Sequence, residues 1–158
     1  MDYIKGSYLE LSDIMLQEYE EADYIVLLSE VSKKTFIERG YPSERLVVTP
    51  LGSNFVPEVV PRNIYNTFRL LCVGTDFYWK GIVYLLKAWK ELRLKNSELV
   101  IIAPVPKTIV NQFKSDNIRF LRHLNHKILR NEYRRATVFC LPSIEDGFGM
   151  VVLEAMAF

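Results

Sequence analysis

The stretch Val138-Phe139-Cys140-Leu141-Pro142-Ser143-Ile144-Glu145-Asp146-Gly147-Phe148-Gly149-Met150-Val151-Val152-Leu153-Glu154-Ala155-Met156 decides how this chain folds. The apolar run 138–141 reads as a buried strand that stops at Pro142-Ser143. A turn carrying Gly147 and Gly149 follows, and 149–157 opens a helix. A strand, a glycine-bearing turn and a helix in that order belong to a parallel α/β sheet, whose ligands sit beyond the carboxyl ends of the strands. Such a turn directs backbone N–H groups and the positive end of the helix into the crevice, which suits a pyrophosphate. The two glycines let the backbone come close with no Cβ in the way. Glu154 falls within two helical turns, so its side chain can reach back to the same crevice.

Outward from this stretch, short β-branched runs alternate with amphipathic ones. Strands are expected at 24–28, 46–49, 68–73, 99–102 and 118–121, and helices at 30–39, 81–94, 107–113 and 126–135. Gly40 and Pro42 stop the first of these helices. In the helix at 81–94, Ile82, Leu85, Leu86, Trp89 and Leu92 share one face. Near-continuous apolar strands separated by helices predict a Rossmann-like parallel sheet covered by helices on both faces. The loop with Pro57 and Pro61, around 53–66, is the expected interdomain linker. It puts the end of one domain and the linker at 1–57, and the first part of a second domain at 58–158. Residues 1–20 read as an apolar-periodic helix with no strand before it. Ala155-Met156-Ala157-Phe158 offers no capping residue, so a piece of a longer chain is expected.

Composition narrows the function. Of 158 residues, 49% are hydrophobic and 25% charged, which supports a packed core and argues against disorder. Twenty lysines and arginines stand against 19 acids. A net charge of +1 gives no electrostatic case for a nucleic-acid partner. Lys33-Lys34 and Arg134-Arg135 read as solvated helix faces. Cys72 and Cys140 lie in separate apolar runs with no second Cys or His at metal spacing, and read as reduced core residues. No apolar run approaches the roughly 18 residues of a membrane span, and the amino terminus lacks a signal-peptide core. The expected compartment is the cytoplasm.

The stretch from Pro142 to Met156 resembles the family 4 glycosyltransferases, whose signature is a Pro-Ser strand end, an acid before Gly-Phe-Gly, and Glu-Ala-Met on the following helix. That family spaces two glutamates by seven residues. Glu154 matches the second, and the first position falls on Asp146, one methylene shorter, or else is filled by Glu145 one position before it. Ala22-Asp23-Tyr24-Ile25-Val26 with Ser29 is similar to the last strand of the family's N-terminal domain. Val48-Thr49-Pro50-Leu51-Gly52-Ser53 is similar to its step into the linker. Leu71-Cys72-Val73-Gly74 followed by Lys80-Gly81 resembles the first strand and Lys-Gly pair of its donor domain. Two departures stand out: Thr75 occupies a position where many relatives carry arginine, and Ala103-Pro104-Val105-Pro106 replaces a glycine-rich loop.

The resemblance implies a two-domain GT-B architecture and a retaining, metal-independent transfer of a sugar from a nucleoside diphosphate sugar to an acceptor hydroxyl. No cofactor beyond that donor is implied. Asp146 and Glu154 take the catalytic roles, one carboxylate near the sugar and one on ribose hydroxyls. Gly74, Lys80, Gly147, Phe148, Gly149, Met150, Val151 and Glu154 form the donor-binding set, with Lys80 on the diphosphate. The leaving phosphate accepts the proton of the acceptor, which is why no Ser-His-Asp set or metal cluster is needed. The acceptor, a carbohydrate or a lipid-linked one, belongs to an N-terminal domain outside this sequence. Peripheral membrane contact, common in that family, would also come through it. The chain by itself is expected to be inactive.

Each assignment has a plainer counterpart. Against the favoured ligand roles, Glu154 has a plainer reading as a helix-surface glutamate, Lys80 as a solvated helix start, and Asp146 as a cap or Asx turn. His123 and His126 read as surface or capping residues, Phe148 as a wedge packing the turn, and Phe77-Tyr78-Trp79 as packing against the linker. The alternative for the whole chain is a non-catalytic nucleotide-binding α/β module, which Thr75 and the Ala103–Pro106 loop favour.

Overall fold

The computed structural model describes residues 13–57 and 66–158. The chain separates into two units, Met1–Leu51 and Gly52–Phe158. The predicted linker and the first part of the predicted amino-terminal helix lie largely outside the described residues.

In the first unit, β1 (Ile25–Leu27) pairs in parallel with β2 (Leu46–Val48). Helix α1 (Glu30–Glu38) connects them, preceded by Ser29, whose Oγ accepts from the Ser32 amide at 3.1 Å. That serine satisfies one of the orphan donors of the first turn, which is why the helix begins there. Ile25, Leu27 and Leu46 form the small core, edged by Tyr19, Phe36 and Tyr41. Arg45 donates to the carbonyls of Tyr19 at 3.2 Å and Glu20 at 3.0 Å, capping the helical stretch 13–21.

The second unit carries the sheet that positions the site. Strands β3 (Phe68–Val73), β4 (Ser97–Ile102), β5 (Ile118–Leu121) and β6 (Val138–Phe139) stand in the order β5-β4-β3-β6, all parallel. The helices are α2 (Ile82–Leu92), α3 (Lys107–Gln112), α4 (His126–Arg135) and α5 (Met150–Met156). Alternation along each strand sends successive side chains to opposite faces. Leu70, Cys72, Leu99 and Ile101 meet Ile82, Leu85, Leu86 and Trp89 of α2 and Ile109 and Val110 of α3. Leu71, Val73, Val100 and Ile102 meet Leu129 and Tyr133 of α4 and Val151 and Ala155 of α5. The predicted α/β, Rossmann-like sheet with helices on both faces is the architecture observed.

Several sequence expectations need correction. Phe77 is buried in the core with Cys72 and Leu86, while Tyr78 and Trp79 are 66% and 51% exposed; the linker against which the triplet is expected to pack lies largely outside the described residues. Leu92 turns outward because α2 ends there, with Arg93 left-handed at φ 46°. The pairing of β3 with β6 places Cys72 and Cys140 in one cluster, although they are far apart in sequence; both are free thiols. Arg69, which alternation would read as an ordinary strand residue, is 4% exposed. Its guanidinium pairs with Glu132 of α4 and, through Nε at 3.1 Å, with Glu98, which Arg119 also contacts at 3.3 Å. These charges sit at the amino-terminal end of the sheet, where buried ions persist only when paired.

Candidate donor-binding site

At the opposite, carboxyl end of β3, β4 and β5 lies a crevice of about 700 Å³. Val73, Gly74 and Thr75 form one wall, and Ile102 through Lys107 the next. Arg122, His123 and Leu124 extend it beyond β5, and His126, Leu129, Val151 and Glu154 close it from α4 and α5. This is where a parallel sheet opens a ligand site, because the loops diverge as the strands end. Its walls are mostly apolar, with a few polar groups converging on it, the usual make-up of a small-molecule site.

Of the residues predicted from sequence, Gly74, Val151 and Glu154 stand on this wall. Glu154 is not an exposed helix-surface residue: it is 8% exposed, and the Tyr133 hydroxyl donates to its Oε2 at 2.9 Å. Burial, together with the neighbouring Glu154 carboxylate, pushes the Tyr133 phenol well above its usual range. The hydroxyl therefore stays protonated and remains a donor.

Lys80, Asp146, Gly147, Phe148, Gly149 and Met150 form a second cluster, where the turn 77–81 meets the loop after β6. Three contacts zip these two segments together. The Trp79 carbonyl accepts from the Ile144 amide at 2.8 Å and from Glu145 at 3.4 Å. Lys80 Nζ donates to Asp146 Oδ2 at 2.8 Å. Gly81, left-handed at φ 63°, lies so close to the Pro142 carbonyl that a Cβ there would overlap its oxygen. Gly74 is needed for a related reason, since a Cβ would stand 2.9 Å from Lys80 Cγ. The glycine after β3 thus leaves the lane along which the lysine stem runs.

Asp146 also accepts from Ser143 Oγ at 3.1 Å, and its Oδ1 accepts from the Gly149 amide at 2.9 Å. The hydrogen bond from Lys80 comes first among the causes that hold its carboxyl below the usual range, with Ser143 and Gly149 adding to it. Asp146 therefore closes the turn and fixes Lys80 at once, while Glu145 is exposed. Not every amide of the turn faces a crevice: those of Ile144, Glu145 and Gly149 are already engaged within the loops.

The two histidines are exposed, as their sequence setting suggested, yet both line the crevice. Asn125, not a histidine, caps α4, its Oδ1 accepting from the Ile128 amide at 3.0 Å. Lys107, Arg122 and Tyr133 were not singled out from sequence. Lys107 and Arg122 carry no motif; Tyr133 was hidden because its partner lies 21 positions away. Among the described residues no group of three His, Cys, Asp or Glu side chains is placed to hold a metal ion. No helix there is long and apolar enough to cross a membrane.

Known proteins share this fold. Residues 67–158 match the family described as Glycosyl transferases group 1. An uncharacterized glycosyltransferase of Haemophilus influenzae is 29% identical over 144 residues, 86% of this chain and 40% of the relative. Among solved structures, the apo form of the lipopolysaccharide outer core galactosyltransferase WaaB superimposes with a TM-score of 0.64 at 21% identity, over 86% of this chain and 41% of that one. Anabaena HepE in complex with UDP and glucose gives 0.68 at 16% identity, over 89% and 43%. The chain thus spans about two-fifths of the length of these proteins. With its parallel sheet, its crevice at the strand ends and its match across β3 to α5, the chain belongs to the glycosyl transferases group 1 family and has the α/β fold of GT-B glycosyltransferases.

Proposed function

We propose that this chain supplies the donor-binding side of a retaining, metal-independent glycosyltransferase, which moves a sugar from a nucleoside diphosphate sugar to an acceptor hydroxyl. The observation that carries the reading is the crevice at the carboxyl ends of β3–β5, with Glu154 on its wall and Lys80 fixed beside Gly74. The solved relative from Anabaena, which holds UDP and glucose, supports a nucleotide-sugar donor. In this reading Glu154 accepts from ribose hydroxyls. Lys80 offsets the charge that develops on the leaving diphosphate, where a fixed cation is worth most. Asp146 keeps that ammonium in place before the donor arrives. The acceptor hydroxyl attacks on the face from which the diphosphate departs, and the leaving phosphate takes its proton. The whole protein works in the cytoplasm, with its acceptor held by an amino-terminal domain.

The test is a titration of the chain with UDP, GDP and ADP, alongside Lys80→Ala and Glu154→Gln. Saturable binding of one nucleotide, weakened about tenfold or more in both variants, is expected from the loss of a charge-assisted contact. Equal affinity in all three proteins would overturn the assignment. Thr75, which offers no cation beside Gly74, favours a second reading, a nucleotide-binding module without catalysis. Nucleotide binding with no sugar turnover by the whole protein would support that reading, and turnover would eliminate it.

A further inference from the structure

Glu154 is held by a residue of another helix. Tyr133 ends its reach at Glu154 Oε2, 2.9 Å away, and its next acceptor, the Val151 carbonyl, is at 3.5 Å. The second carboxylate oxygen, Oε1, has no hydrogen-bond partner among the described residues, and Glu154 lines the crevice. The ring that carries the hydroxyl is itself immobilised. Tyr133 is 4% exposed, stacks on Phe158 at 5.9 Å and 12° between planes, and meets Phe55 at 6.0 Å and Phe139 at 5.8 Å. A phenol locked in this way fixes the position of the oxygen it binds, because neither χ angle can relax without opening an aromatic cluster.

We propose that Tyr133 is a positioning residue for donor binding: its hydroxyl pins Glu154 Oε2 so that Oε1 faces the crevice, ready to accept from a nucleotide. This rests on the reading of Glu154 as a donor contact. A glutamate left to itself samples several rotamers and loses that freedom on binding. Pinning one oxygen removes most of that loss in advance. The hydrogen bond also lowers the cost of a carboxylate that is nearly buried when the site is empty.

The experiment is a double-mutant cycle in the 158-residue chain, reading both the Kd for whichever of UDP, GDP and ADP binds most tightly and the thermal midpoint. Tyr133→Phe keeps the ring and its packing and removes only the hydroxyl. It is expected to weaken binding about three- to tenfold, the worth of one such hydrogen bond. In the Glu154→Gln background the same substitution should leave Kd unchanged, because there is no carboxylate left to position. A purely structural role predicts otherwise: a lowered midpoint in both backgrounds, with Kd unaffected in either. That result, or a Kd loss of equal size in both backgrounds, overturns the positioning role. If Glu154→Gln binds as tightly as the unmodified chain, the assignment of Glu154 fails and the inference falls with it. Failure of the unmodified chain to bind any of the three nucleotides has the same consequence.

Discussion

Replacing Gly81 with alanine tests whether the two loops of the site are held by backbone proximity or by side-chain contacts alone. Three glycines form a graded series. Gly147 has open space around it and no left-handed φ, so alanine there should cost no more than about 0.5 kcal/mol. Gly149, at φ 72°, has only ordinary contacts, with Val152 Cγ2 at 3.6 Å, and alanine carries the left-handed backbone cost of about 1–2 kcal/mol. Gly81, at φ 63°, adds a collision of its Cβ with the Pro142 carbonyl, whose carbon would stand 3.0 Å away. Since both partners are backbone, the loops must part. They then lose the Ile144–Trp79 hydrogen bond at 2.8 Å, worth about 0.5–1.5 kcal/mol, and strain or lose the Lys80–Asp146 pair, worth about 0–1 kcal/mol where partly exposed. With the backbone cost and residual strain, Gly81→Ala should destabilise by about 3–5 kcal/mol. Urea unfolding followed by the fluorescence of Trp79 and Trp89 measures the total, and hydrogen exchange at the Ile144 amide reports the loop contact itself. Equal losses for Gly81→Ala and Gly149→Ala, with Ile144 still protected, would refute the close-approach argument.

Three further outcomes are expected. Arg69→Met strands the buried Glu132 carboxylate and should cost about 3–5 kcal/mol in urea unfolding, more than Glu132→Gln, which leaves Arg69 its contact with Glu98. Burial pushes the Cys72 thiol up to about 12, so it should resist a thiol-specific reagent near neutral pH and react only on unfolding, at a rate set by denaturant. The Asp146 carboxyl is depressed below 3.8 when folded, so its contribution is complete above that value and is lost as pH falls through its folded pKa. The stability difference between the unmodified chain and Asp146→Asn should therefore be constant near neutral pH and shrink in acid, below about pH 4; a difference that grew in acid would contradict the assigned partners.

Local patterning made the framework of the second unit legible. Apolar runs gave β3 and β5 their observed bounds, and the helix expected at 126–135 is α4 as observed. The strand–turn–helix stretch from Val138 carries Val151 and Glu154, and Gly74 comes from the family resemblance; all three line one crevice. What could not be read were contacts between segments distant in sequence. Nothing near Trp79 announces that its carbonyl will meet Ile144, and nothing near Glu154 announces Tyr133. Arg69 was opaque for a related reason: a charged residue in a strand reads as solvent-facing until its partners on α4 and β4 are known. The burial of Phe77 was not legible because an aromatic triplet before a lysine has no period, and only the turn 77–81 decides which ring points inward.

The strand order β5-β4-β3-β6 also has a kinetic consequence. β3, β4 and β5 pair with their neighbours in sequence through short crossovers, whereas β6 must return past two strands to reach β3, closing a loop more than twice as long as that between β3 and β4. Loop closure makes the near pairings earlier and the return of β6 later. Shortening Leu71 or Val100 on their shared face should thus slow refolding, while shortening Phe139 or Val151 should mainly hasten unfolding. The site that depends on β6 and α5 would then be the last part of the unit to assemble and the first to open.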